Sequence, residues 1–159
     1  MKNFLFIVFI SVSLNGQIIN EKIIFQSANP FSFHDVITDL KSQEKQEVYG
    51  NLVIPFDSLN PNKKYPLVLG VAGSLGWKKH HYDYLTMYQE LGFATFELNS
   101  FKSRNIESTV GKQTQVTTAA MILDAYKALE ILSNDPRILK DNISITGWSL
   151  GGARLIIFF

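Results

Sequence analysis

The segment Asn142–Gly152 (NISITGWSLGG) constrains this chain more than any other. A short run rich in β-branched residues, Asn142–Thr146, leads into Gly147-Trp148-Ser149-Leu150-Gly151-Gly152, and a helix-compatible stretch (ARLIIFF) follows. The G-x-S-x-G spacing places a serine on a very tight strand-to-helix turn. That turn strains the backbone and admits only small neighbours at Gly147 and Gly151; Gly152 lets the new helix pack closely. The serine hydroxyl then projects above the sheet. Free N–H groups at the helix start face any negative charge that develops beside it. Ser149 is therefore the candidate nucleophile.

The rest of the chain supplies a sheet for this turn. Leu67–Ala72 (LVLGVA) is continuously apolar, which suits a central parallel strand covered on both faces. Phe93–Leu98 (FATFEL) reads as its neighbour. Glu47–Ile54 (EVYGNLVI) alternates in part and stops at Pro55, and Glu21–Ala28 (EKIIFQSA) has strand composition. Phe31–Lys45 is polar and mixed, with no period, and Asn99–Gly111 reads as a long polar loop. Tyr84, Met87, Tyr88 and Leu91 set a helix over His81–Leu91, with Gly92 at the left-handed cap. Val116, Ala119, Ala120, Leu123, Tyr126 and Leu129 form the apolar stripe of a longer helix over Thr114–Leu132, ended by Asn134-Asp135-Pro136. Strands separated by helices predict an α/β fold: a mostly parallel sheet with flanking helices and right-handed crossovers.

Composition excludes several function classes. A chain of 159 residues is about one domain. Its net charge of +1 offers no broad field for nucleic acid. With 46% hydrophobic and 18% charged residues, it folds rather than staying disordered. There is no cysteine, hence no disulfide, thiolate metal site or cysteine nucleophile. Phosphate-loop, dinucleotide and metal-ligand spacings are absent, so neither cofactor nor metal is expected. Phe4–Leu14 (FLFIVFISVSL) follows Lys2 and precedes the polar break Asn15-Gly16-Gln17. As a helix it spans about 16 Å, against roughly 30 Å of hydrocarbon. That length suits a signal peptide over residues 1–16 and an exported (periplasmic or secreted) domain over 17–159, with no stable membrane span after its removal.

A second loop completes the expected chemistry. Gly73-Ser74-Leu75-Gly76 follows the Leu67–Ala72 strand. An oxyanion formed in acyl transfer needs two donors. By position these are the backbone N–H groups of Leu150 and Ser74. Arg104, on the loop after Phe93–Leu98, lies where α/β sheets place ligands and is a candidate partner for a substrate carboxylate; ordering of its own loop is the alternative, and the favoured one. Trp77 and Trp148 flank the site as candidate walls of an acyl pocket. Packing in the core is the equal alternative for both.

Taken together, PLVLGVAGSLGW, ELGFATFELNSFKSRNI, DAYKALEIL and DPRILKDNISITGWSLGG resemble, in order and spacing from Glu47 to Gly152, the dienelactone-hydrolase-like branch of the α/β-hydrolase superfamily. The resemblance implies the α/β-hydrolase fold. It also implies a Ser or Cys nucleophile with an Asp and a His, and cofactor-free hydrolysis of a small ester or lactone. Ser149 takes the nucleophile's place, and Ala72 stands where the family often has His.

In that fold the triad runs Ser, then Asp or Glu, then His. Leu150–Phe159 (LGGARLIIFF) holds neither. The chain therefore reads as the N-terminal part of a hydrolase, truncated after the nucleophile elbow and inactive alone. The strand before Ser149 would then be an exposed, aggregation-prone edge. His34, His80 and His81 are poor substitutes for the missing base. Two other readings stand beside this one: a serine peptidase of the prolyl-oligopeptidase type, and an exported non-catalytic binding protein that retains the fold.

Overall fold

The computed structural model describes residues 17–155; the leader expected over 1–16 lies outside the described residues. Five strands form one sheet: β1 (Gln17–Ala28), β2 (Lys45–Phe56), β3 (Tyr65–Val71), β4 (Ala94–Leu98) and β5 (Ile138–Gly147), in the order β1-β2-β4-β3-β5. Helices α1 (Phe33–Thr38), α2 (Lys79–Glu90), α3 (Thr118–Ser133) and α4 (Leu150–Leu155) connect and flank them.

The apolar runs occupy the middle of the sheet. Every residue of β4 is buried, as is every residue of β3 except half-buried Pro66. The sheet is mixed. β4, β3 and β5 are parallel, whereas β1–β2 and β2–β4 are antiparallel. The cause is the connections: parallel neighbours need a long crossover, and only α2 and α3 supply one. The two crossovers run in opposite directions, from β3 to β4 and then back across β3 to β5. A constant right hand therefore places α2 and α3 on opposite faces. Alternation along β3 matches this. Leu67, Leu69 and Val71 join the cluster containing Val116, Met121 and Leu132. Gly70 faces α2, where a Cβ would lie 2.8 Å from Trp77 Cη2.

Local chemistry sets the helix boundaries. α3 starts at Thr118 because the Thr117 hydroxyl accepts the Ala120 N–H at 3.1 Å. Gly92, at φ +87°, follows the end of α2, and its N–H closes on the Gln89 carbonyl at 2.9 Å. The stripe expected on α3 is buried at Ala119, Ala120 and Leu123, while Tyr126 is exposed. The segment read as periodless contains α1. Ser32 caps it and Asp35 accepts the Ser32 N–H in return at 2.8 Å, a reciprocal box.

Candidate active site

β5 runs parallel to β3 up to the pair Val71–Gly147, and the Trp148 N–H still reaches the Val71 carbonyl at 3.2 Å. The chain then reverses. Ser149 has φ +51°, the left-handed region that side chains other than glycine rarely occupy, at a cost of about 1–3 kcal/mol. α4 begins at the next residue. Ser149 is exposed, and its hydroxyl has no hydrogen-bond partner among the described residues.

Close backbone approach explains the glycines. A Cβ on Gly147 would lie 2.6 Å from Gly151 C and Gly152 N. One on Gly151 would lie 2.6 Å from the Ala72 carbonyl oxygen. Strand β5, helix α4 and the end of β3 meet with no space for a methyl group at either position.

The loop after β3 abuts the same turn. A Cβ on Gly73 would sit 2.8 Å from the Trp148 carbonyl oxygen and 3.1 Å from Ser149 Cβ. The Gly76 N–H bonds the Gly73 carbonyl at 2.9 Å, and the Ser74 carbonyl accepts the Thr109 N–H at 2.8 Å, so this loop is held from both sides. Neither the Ser74 N–H nor the Leu150 N–H is taken by an acceptor among the described residues.

This is the arrangement of a sheet-top serine turn beside a strand-to-helix loop. No family model and no curated protein matches the sequence. Solved structures match it in fold. A dienelactone hydrolase from Anabaena variabilis aligns with a TM-score of 0.52 and 16% identity over 84% of this chain and 55% of its own. The esterase Est22 aligns at 0.60 and 14% identity, over 89% and 38%. A Bacteroides ovatus protein described as a dipeptidyl aminopeptidase IV aligns at 0.55 and 18% identity, over 89% and 19%. The chain has the α/β-hydrolase fold. It spans about half the length, or less, of the structures it matches.

Within this α/β-hydrolase fold the remaining predicted residues divide. Arg104 faces the interior, which overturns its reading as a substrate contact and agrees with its reading as a loop-ordering residue. Its side chain is 6% exposed, and it pairs with Asp124 through Nη1 at 2.7 Å and Nη2 at 3.1 Å. It also donates to Asn29 Oδ1 at 2.7 Å and to the Ser100 and Ala28 carbonyls at 2.8 and 3.1 Å. A guanidinium engaged in this way ties the post-β4 loop to β1 and α3. Asp124 is buried and takes the Ser27 hydroxyl at 2.6 Å. Burial pushes its carboxyl up, opposed by the Arg104 charge.

Trp77 is buried, donates from Nε1 to the Leu98 carbonyl at 2.9 Å, and lines a narrow cleft at the ends of β3 and β4. Trp148 instead packs towards α2, 4.6 Å from His81 and 6.0 Å from Tyr84 between ring centroids. His80 and His81 lie within α2, which starts two residues earlier than the spacing predicts. His81 is buried and its Nδ1 accepts the Lys78 N–H at 3.0 Å. The neutral ring therefore carries its proton on Nε2 and has no lone pair left to act as a base. Burial, with the nearby His80 and Lys78 charges, holds its pKa below the usual range.

Sequence reasoning missed the cleft itself. Asn99, Ser100 and Phe101 read as part of a polar loop, yet all three are buried and line it.

Proposed function

We propose that this chain carries the nucleophile of a serine hydrolase that cleaves small carboxylic esters or lactones through an acyl-enzyme. Ser149 Oγ attacks the carbonyl carbon and passes its proton to a general base. The carbonyl oxygen gains negative charge beside the Leu150 and Ser74 N–H groups. The C–O bond to the leaving alcohol then breaks, and water releases the acid. The observation that carries this reading is the exposed Ser149 at φ +51° on a turn that touches the loop of Ser74. A strained serine whose hydroxyl has no partner among the described residues supports a reactive role more readily than a packing one.

No histidine hydrogen-bonds Ser149 among the described residues, and His81 has its acceptor nitrogen committed. The exported location expected for the domain remains part of this proposal.

A fluorophosphonate probe tests it on the whole protein that carries this chain. Labelling at Ser149, lost in Ser149→Ala, supports the hydrolase. A folded protein that leaves the probe unreacted supports the non-catalytic binding reading instead.

A further inference from the structure

The narrow cleft at the ends of β3 and β4 has Trp77, Leu98, Phe101 and Met121 as apolar walls and Asn99, Ser100 and Lys102 as its polar members. Its free volume is about 10 Å³, room for one water-sized group. Ala72, the residue before Gly73, also lines it, and a Cβ on Gly73 would lie 3.1 Å from Ser149 Cβ.

One polar atom in its wall is unpaired. Asn99 is 2% exposed, and its Oδ1 has no hydrogen-bond partner. Its orientation is fixed by the other end of the amide. Nδ2 donates to Glu97 Oε1 at 3.1 Å and to the Glu97 carbonyl at 3.3 Å. Glu97 is itself held by Asn51 Nδ2 at 2.8 Å and the Tyr82 hydroxyl at 3.0 Å. Rotating the amide would turn Oδ1 onto the carboxylate, so the free atom is an acceptor. The Ser100 hydroxyl, also on this wall, is engaged by the Asp124 carboxylate and is not free for a ligand. A buried acceptor left unpaired destabilises the chain unless something supplies a donor.

We propose that the cleft is a specificity subsite for an acyl group bearing a short, neutral hydrogen-bond donor, a hydroxyl on the carbon next to the carbonyl. This rests on reading Ser149 as the group that is acylated. The size of the cleft admits a hydroxyl or a methyl group, and Asn99 Oδ1 separates the two. A charged ammonium in that place would be desolvated against Trp77, Leu98 and Phe101 with no free carboxylate to meet it.

The test uses the whole protein with Ser149→Ala, so that binding is read without turnover. Methyl glycolate and methyl propionate, nearly equal in size, are titrated while the Asn99 side-chain amide signals are followed by NMR. Methyl glycolate is expected to bind about tenfold or more tightly and to shift the Asn99 signals. Equal binding, preference for the propionate, or no binding of either overturns the proposal, the cleft then holding an ordered water only. Fluorophosphonate labelling of the unmodified protein separates the two conclusions. Selective binding without labelling sinks the hydrolase and the subsite's catalytic purpose while leaving the hydroxyl preference standing; labelling without selective binding sinks the subsite alone.

Discussion

Gly73 and Ser149 touch across the gap between two turns: a Cβ on the glycine would lie 3.1 Å from Ser149 Cβ. The loop after β3 is thus positioned by direct contact with the serine turn. Gly73→Val should displace one turn from the other. Loss of probe labelling at Ser149 with the far-ultraviolet circular dichroism unchanged is the expected result.

Gly151 has less freedom still, since its missing Cβ would meet the Ala72 carbonyl oxygen at 2.6 Å. Backbone cannot yield as a flexible side chain does. Gly151→Ala is expected to cost about 1–3 kcal/mol, measured as a lower urea midpoint at unchanged slope.

Ser149 holds φ +51° at a price in stability that glycine would not incur. Ser149→Gly should keep or raise the urea midpoint, by up to about 1 kcal/mol, while abolishing labelling. Ser149→Val should lower it. A drop in both variants would show that the turn is not strained.

The Arg104–Asp124 pair, with side chains 6% and 0% exposed, predicts an asymmetric double-mutant cycle. Arg104→Leu leaves a buried carboxylate unpaired and should cost about 3–5 kcal/mol. Adding Asp124→Leu should recover part of that loss. Additive losses would mean that the two residues do not act as a pair.

His81 predicts a pH dependence. Burial holds its folded-state pKa below the ordinary value of about 6.5. As pH falls through that value the unfolded chain takes up the proton first. The stability contribution is therefore full above pH 6.5 and is lost below it. Urea midpoints between pH 7.5 and roughly pH 5 should fall, and His81→Phe should flatten that slope. An NMR titration of His81 at or above the ordinary value would remove the basis for it.

β3 and β4 were legible because burial on both faces leaves an unbroken apolar run, as in LVLGVA, and the serine turn because its glycines have a steric cause. The helices were placed to within a few residues. α1 escaped because it buries no residue and so has no period, although Ser32 and Asp35 carried the capping signal. The burial of Arg104, Asn99 and Thr109 was not legible, for a common reason. Polarity along Asn99–Gly111 suggested solvent, whereas these side chains turn inward, Arg104 to partners distant in sequence. One-dimensional pattern cannot show which polar residues find each other.

Among the described residues β5 is hydrogen-bonded along one side alone, to β3. The element that delivers Ser149 is thus anchored like a plank nailed at a single edge. The position of the hydroxyl therefore hangs on the β3 ladder and on the close-packed glycines of the turn, with no second strand among the described residues to share the load.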